Sequence, residues 1–185
     1  MVEVSDWELV QQCQAGDMNA FQELVSRYQQ KVFMVILGLL RNREDALEVS
    51  QETFFRAYRK INSFQGGSSF YTWLYRIAVN LAIDAQRRLK RNPLEFRDSM
   101  DGILEERNEL AKDPFADVHD KQLRVKLNEA INDLTPEHRS VIVLRTLEGL
   151  SYKDIGEILG CSEGTVMSRL HYARKKLQDK LRAFL

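Results

Sequence analysis

Two cysteines, three prolines and no net charge already exclude several kinds of protein. Cys13 and Cys161 lie far apart and outside any CxxC or Cys/His cluster. That arrangement offers no disulfide framework, and it makes a reducing compartment, the cytoplasm, the expected address. His119, His138 and His171 are equally scattered, so no metal site follows from spacing, and no motif asks for a cofactor. The longest apolar run, Val32 to Leu40, is far shorter than the ~20 residues that span a bilayer. The opening MVEVSDWELV has no basic region, apolar core and small-residue cleavage site of the kind that marks a secretory signal.

The zero sum of charge hides a gradient. Residues 1–95 hold 12 basic and 11 acidic groups, residues 96–123 hold 4 and 8, and residues 124–185 hold 11 and 8. From Glu163 onward, Arg169, Arg174, Lys175, Lys176, Lys180 and Arg182 face only Glu163 and Asp179. Basic character is therefore local, as expected of a footprint on a polyanion rather than of a polycation.

With proline confined to positions 93, 114 and 136, long stretches follow the 3.6-residue period and none follows strand alternation. The expected fold is all-α, in two small helical domains. Ser5-x-x-Glu8 is a capping box for a short helix through Leu9, Val10 and Cys13 that Gly16 can end. Asp17 caps a longer helix with the stripe Phe21, Leu24, Val25, Tyr28, Val32, Val35, Ile36 and Leu39. Arg41-Asn42 breaks it, and a third helix runs from about Arg43 to Ile61. Ser68 or Ser69 can cap a fourth, from Phe70 to about Leu89. Residues 92–120 turn acidic and irregular, with Pro93 and Asp113-Pro114 as breakers, and read as a flexible linker between domains at 1–91 and 121–185. In the second domain Thr135-Pro136 is an N-cap with first-turn proline.

The most specific stretch is SYKDIGEILGCSEGTVMSRLHYARKKL, Ser151 to Leu177. Ser151-x-x-Asp154 caps a helix with Ile155, Ile158 and Leu159 on its apolar face, and Gly156 leaves space for a closely crossing second helix. Gly160 supplies positive φ for a sharp turn, and Ser162 caps the next helix. Helix, short turn, helix is the DNA-reading arrangement. At 100° per residue, Val166, Leu170, Ala173, Leu177, Leu181 and Phe184 fall on one side of the second helix. Gly164, Ser168, His171, Tyr172 and Lys175 lie opposite, flanked by Thr165, Met167, Arg169, Arg174 and Lys176. Small polar groups near the helix start suit a major groove, and the basic groups behind them suit phosphates.

The fourth helix carries a second pattern. Phe70, Leu74, Ile77, Ala78, Leu81 and Ala85 make a core stripe, while Trp73, Arg76, Asn80, Asp84 and Arg87 share another sector. An aromatic plate, an amide and guanidinium groups together suit unstacked bases. The adjoining loop SFQGGSS, Ser63 to Ser69, is glycine-containing and can wrap a flipped base, though it lacks the GxxxxGK[ST] pattern of a phosphate loop. On the third helix Ala46, Ser50, Thr53, Phe54, Ala57 and Ile61 face inward. Asp45, Glu48, Gln51, Glu52, Phe55 and Arg59 lie opposite, a Phe centred in an acidic rim that repels DNA and suits a basic protein helix.

Taken in order, DALEVSQETFFRAY, SFQGGSSFYTWLYRIAVNLAIDAQRR and LTPEHRSVIVLRTLEGLSYKDIGEILGCSEGTVMSRLHYARKKL resemble a bacterial sigma factor of the extracytoplasmic-function group, close to sigma-E. The resemblance spans nearly the whole chain outside the linker. It implies a non-enzymatic initiation factor that brings core RNA polymerase to promoter DNA. By position, Asp45, Glu48, Gln51, Glu52 and Phe55 match the helix that grips the β′ clamp helices. Ser63, Phe64, Gln65, Ser69, Trp73, Arg76, Asn80, Arg87 and Arg88 match the element that opens the minus-ten duplex and captures a base. Ser162, Glu163, Gly164, Thr165, Met167, Ser168, Arg169, His171, Tyr172, Arg174, Lys175 and Lys176 match the minus-thirty-five reading helix, whose domain also docks on the β flap. An anti-sigma factor that masks these faces until a stress signal arrives is implied as well.

Two departures stand out. Leu47, Val49 and Ser50 replace the Glu, Leu and Val usual in the clamp helix, which leaves that contact to Asp45, Gln51 and Glu52. Met167 stands where a basic residue commonly follows Thr-Val, so a groove or phosphate contact is expected to be lost. A stand-alone helix-turn-helix repressor would leave the third and fourth helices unexplained. A recombinase or transposase would need a nucleophile or a carboxylate cluster, and the sequence offers neither.

Overall fold

The computed structural model describes residues 4–91 and 117–182. Most of the expected linker, residues 92–116, lies outside the described residues, as does Phe184. Among the described residues eight α-helices follow one another: α1 Asp6–Gln14, α2 Met18–Leu40, α3 Arg43–Lys60, α4 Phe70–Arg91, α5 Asp117–Asn132, α6 Pro136–Leu147, α7 Tyr152–Leu159 and α8 Glu163–Leu181. A single 3-10 turn, Ile61–Ser63, follows α3, and no strand occurs among the described residues.

Side-chain caps set most of these boundaries. Ser5 and Glu8 make a reciprocal capping box on α1, with the Ser5 N–H donating to the Glu8 carboxylate at 2.8 Å. Asp17 accepts from the Asn19 N–H at 2.8 Å to open α2. Arg41 ends α2 in the left-handed region at φ 64°, and Asn42 at once caps α3 by accepting from the Asp45 N–H at 3.0 Å. Ser69 accepts from the Thr72 N–H at 3.2 Å and starts α4. Thr135 caps α6 with proline in its first turn. α5 begins at Asp117, inside the last residues of the expected linker.

Helices α1 to α4 pack around Leu24, Val32, Val35, Ile36, Ala57, Leu74 and Ala78, all of them buried. One end of this bundle is aromatic. The Phe64 ring lies 6.1 Å from Trp7, 6.0 Å from Phe70 and 5.1 Å from Trp73. The Gln14 amide donates to the carbonyls of Ile61 and Phe64 at 2.8 and 2.9 Å, which ties α1 to the turn before the glycine loop. In the C-terminal half, Val141, Leu144, Ile155, Ile158, Val166, Leu170 and Ala173 are buried together.

The two sets of helices also pack on each other, and their buried side chains form one continuous core. Gly38 of α2 permits the approach: a Cβ there would sit 3.1 Å from Val143 Cγ1 and 3.4 Å from Leu147 Cδ1 of α6. Helix α4 is consequently buried on two sides. Beyond the expected stripe, Tyr75, Val79 and Ala82 are buried too.

Candidate nucleic-acid and polymerase-binding surfaces

The turn between α7 and α8 follows from two glycines. Gly160 is left-handed at φ 65°, and the Cys161 N–H donates to the Gly156 carbonyl at 2.9 Å. A Cβ on Gly156 would lie 2.7 Å from the Cys161 carbonyl oxygen. The space that glycine leaves is taken first by the turn's own backbone, with the backbone N of Glu163, the first residue of α8, next at 3.8 Å. Ser162 accepts from the Thr165 N–H at 3.2 Å and fixes where α8 begins.

Val166, Leu170 and Ala173 hold α8 to the core, with Leu177 and Leu181 half-buried. Ser162, Glu163, Gly164, Met167, Ser168, His171, Tyr172, Arg174, Lys175 and Lys176 are exposed. Thr165 and Arg169 are half-buried, and Arg169 Nη1 lies 3.8 Å from Cys161 Sγ. Lys176 donates to the Asp133 carbonyl and Lys180 pairs with the Asp133 carboxylate. Lys180 holds that carboxyl below its ordinary range.

On α4, Trp73 is half-buried against Phe64 and Phe70, with ring centroids at 5.1 and 5.7 Å. Asn80, Arg87 and Arg88 are exposed, and Arg87 stands 3.6 Å from Asp84. Arg76 is engaged across the molecule: Nε and Nη2 donate to the Glu157 carbonyl at the end of α7, at 3.1 and 2.8 Å. Within the loop, Ser63 and Gln65 are exposed, while Phe64 is buried in the aromatic cluster and Ser69 serves as the α4 cap. Gly66, at φ 73°, lies so close over the Trp7 ring that a Cβ would approach it to 2.9 Å.

The outer side of α3 keeps Glu48, Gln51 and Phe55 exposed and Asp45 half-buried. Glu52 is half-buried and accepts from Arg56 Nε at 2.6 Å. Phe55 is 55% exposed, with the Arg59 guanidinium 5.7 Å from its ring centroid. Leu47 and Phe55 lie uncovered, whereas Val49 and Ser50 face inward.

Sequence reasoning missed the polar contacts that join the two sets of helices. The Tyr75 hydroxyl donates to the Glu148 carboxylate at 2.6 Å, and burial pushes its pKa far above the ordinary tyrosine range, with Glu148 adding to the shift. Arg139 is buried and donates to backbone carbonyls alone, at Leu39 (3.0 Å), Ile131 (3.2 Å) and Asn132 (2.8 Å). Burial lowers its pKa from the arginine norm. The available signal was the second apolar side of α4, which one bundle alone would leave in water.

Among the described residues no group of three or more His, Cys, Asp or Glu could hold a metal ion, and no helix is long and apolar enough to cross a membrane.

The all-α arrangement of the described residues, with a capped helix-turn-helix whose second helix is rich in exposed polar and basic groups, defines a protein of the helix-turn-helix class. Residues 1–183 match the sequence model of the family described as ECF sigma factor, and the chain belongs to that family of RNA polymerase sigma factors. It is 39% identical to the ECF RNA polymerase sigma-E factor of Haemophilus influenzae, over 99% of this chain and 98% of that one. Among solved structures it is similar to CnrH in complex with the cytosolic domain of CnrY, with a TM-score of 0.73, 25% identity and coverage of 96% and 97% of the two chains. It is also similar to the sigma factor RpoE of Bartonella quintana in complex with the anti-sigma factor NepR, with a TM-score of 0.66, 25% identity and coverage of 88% and 96%.

Proposed function

We propose that three faces divide the work of initiation. The outer side of α3 binds the β′ clamp helices of core RNA polymerase through Asp45, Glu48, Gln51, Glu52 and Phe55. The 63–69 loop and the Trp73, Arg76, Asn80, Arg87 and Arg88 side of α4 take the minus-ten element and a flipped base. Helix α8 reads the minus-thirty-five element, and its domain docks on the β flap. The chain works in the cytoplasm and catalyses no covalent step, since tighter binding to unwound than to duplex DNA supplies the energy. An anti-sigma factor withholds it from the polymerase.

The observation that carries this reading is the placement of three chemically distinct faces on three helices of a sigma factor. An acidic, Phe-centred face repels DNA, while the other two attract it. The domains are 1–91 and 121–185, joined by 92–120, and they separate in use. The two promoter elements, by their names, are about 25 base pairs or roughly 85 Å apart at 3.4 Å per pair. A compact chain of this length has a radius of gyration of about 16 Å, so it spans roughly 40 Å. Closed, it cannot touch both elements, and its Arg76 is held by the Glu157 carbonyl.

Trp73→Ala tests the melting role. The expected result is slower open-complex formation on duplex promoters and nearly normal activity on templates already unpaired at minus ten. Equal loss on both templates would contradict it.

A further inference from the structure

Met167 and Tyr172 are 57% and 62% exposed, the most exposed large apolar side chains described in the C-terminal helices. At 100° per residue they flank the Gly164–Ser168 ridge of α8 on its two sides. The His171 ring meets Tyr172 edge-on at 5.8 Å, and His138 approaches it at 6.3 Å. The ridge of the proposed reading surface is thus flanked by a thioether on one side and an aromatic cluster on the other.

The donors that usually read bases are turned elsewhere. Guanine is read most often by an arginine fork spanning O6 and N7. Arg169 is half-buried and folded back toward Cys161 Sγ at 3.8 Å. Ser168 donates to the Thr165 carbonyl at 3.0 Å, and the hydroxyls of Ser162 and Thr165 bond to each other at 2.9 Å. Arg174 and Lys175 lie about two turns beyond Met167, placed for phosphates, and Lys176 is bonded to Asp133. The first two turns of α8 therefore present no forked donor. The major groove has one apolar feature to offer such a surface, the thymine C5 methyl group.

We infer that Met167 is a specificity-determining residue that reads thymine methyl groups in the minus-thirty-five element. Contact with a methyl selects thymine and leaves guanine without a partner. The inference rests on α8 being the minus-thirty-five reader, and the test separates the two claims.

Holoenzyme reconstituted with the full chain selects binding sites from duplexes randomised at minus thirty-five, and deoxyuridine then replaces each thymine of the selected site in turn. That exchange removes a methyl group and nothing else. At one or two positions binding should weaken about fourfold, the value of one buried methyl or methylene. Met167→Ala should abolish the difference between thymine and uracil there, Met167→Leu should keep it, and Met167→Arg should shift selection toward guanine. Met167 is exposed, so these variants should fold normally, as a melting curve shows. Equal binding of thymine and uracil at every position, with Lys175→Ala still weakening binding, would overturn the methyl contact and leave α8 as the reader. Indifference to Lys175→Ala and to scrambling the element would remove α8 from the DNA and overturn both.

Discussion

The Tyr75 hydroxyl donates to the Glu148 carboxylate at 2.6 Å, joining α4 to the residue that ends α6 across 73 positions of sequence. Tyr75 is only 1% exposed, so this bond is made in a low-dielectric seam. A hydrogen bond to a charged group contributes roughly 1.5–3 kcal/mol. Tyr75→Phe should therefore weaken the closed arrangement by about that amount. Glu148→Gln should do likewise, and the double variant should lose less than the two losses added together, because one shared bond is removed. Energy transfer between dyes placed on α3 and α8 measures the closed fraction, and melting curves measure the folds.

Gly38 separates helix stability from seam stability. Replacing an interior helix glycine by leucine favours the helix by up to about 1 kcal/mol. A Cβ at 38 would already press Val143 at 3.1 Å, and the rest of a leucine has no room in the closed form. Gly38→Leu should keep α1 to α4 folded while driving the two sets of helices apart. The same dye pair should show lower transfer together with unchanged helix content.

Gly156→Ala should damage the DNA-reading unit selectively. Its Cβ would meet a backbone carbonyl at 2.7 Å, and a carbonyl cannot rotate away as a side chain can. Such overpacking costs about 1–3 kcal/mol. Expected outcomes are a lower melting temperature, loss of minus-thirty-five recognition, and retained binding to core polymerase through α3.

Alkaline pH should destabilise the fold through two tyrosines, Tyr28 within the first set of helices and Tyr75 at the seam. Burial, then the Asp6 carboxylate at Tyr28 and the Glu148 carboxylate at Tyr75, raise both hydroxyls far above the ordinary value. The folded chain holds these protons more tightly than the unfolded chain. Their stabilising contribution is thus complete below about pH 10 and falls as pH rises further, by up to about 1.4 kcal/mol per group per pH unit. Denaturation midpoints followed from about pH 8 to pH 11 should drop more steeply at the alkaline end for the native chain than for the Tyr28→Phe, Tyr75→Phe double variant.

Most helix starts could be read from the chain because each is written locally. Ser5, Asp17, Ser69, Thr135, Ser151 and Ser162 all cap as their side chains dictate. So could the apolar side of α8, where a single period decides what is buried. Long-range contacts could not. Phe64 sits in a loop of polar and glycine residues, and only the nearness of Trp7, Phe70 and Trp73 makes it core. Arg76 and Arg139 look like surface charges in sequence, yet a backbone carbonyl of the opposite set of helices receives each, Glu157 for Arg76 and Leu39 for Arg139, which also donates to carbonyls of its own set. Carbonyls carry no sequence signature, so such partners are invisible to pattern. The wide apolar girth of α4 was the one legible hint, through Tyr75, Val79 and Ala82.

The central claim is that this chain gives core RNA polymerase its promoter choice by using two separated readers. Run-off transcription with purified core polymerase, the full chain and a library of genomic promoter fragments tests it most directly. Discrete transcripts should begin a fixed distance downstream of paired minus-thirty-five and minus-ten elements, and changing the spacing between the elements should abolish them. Folded, saturating protein that yields no start-specific transcript from any fragment, or transcription indifferent to that spacing, would contradict the account.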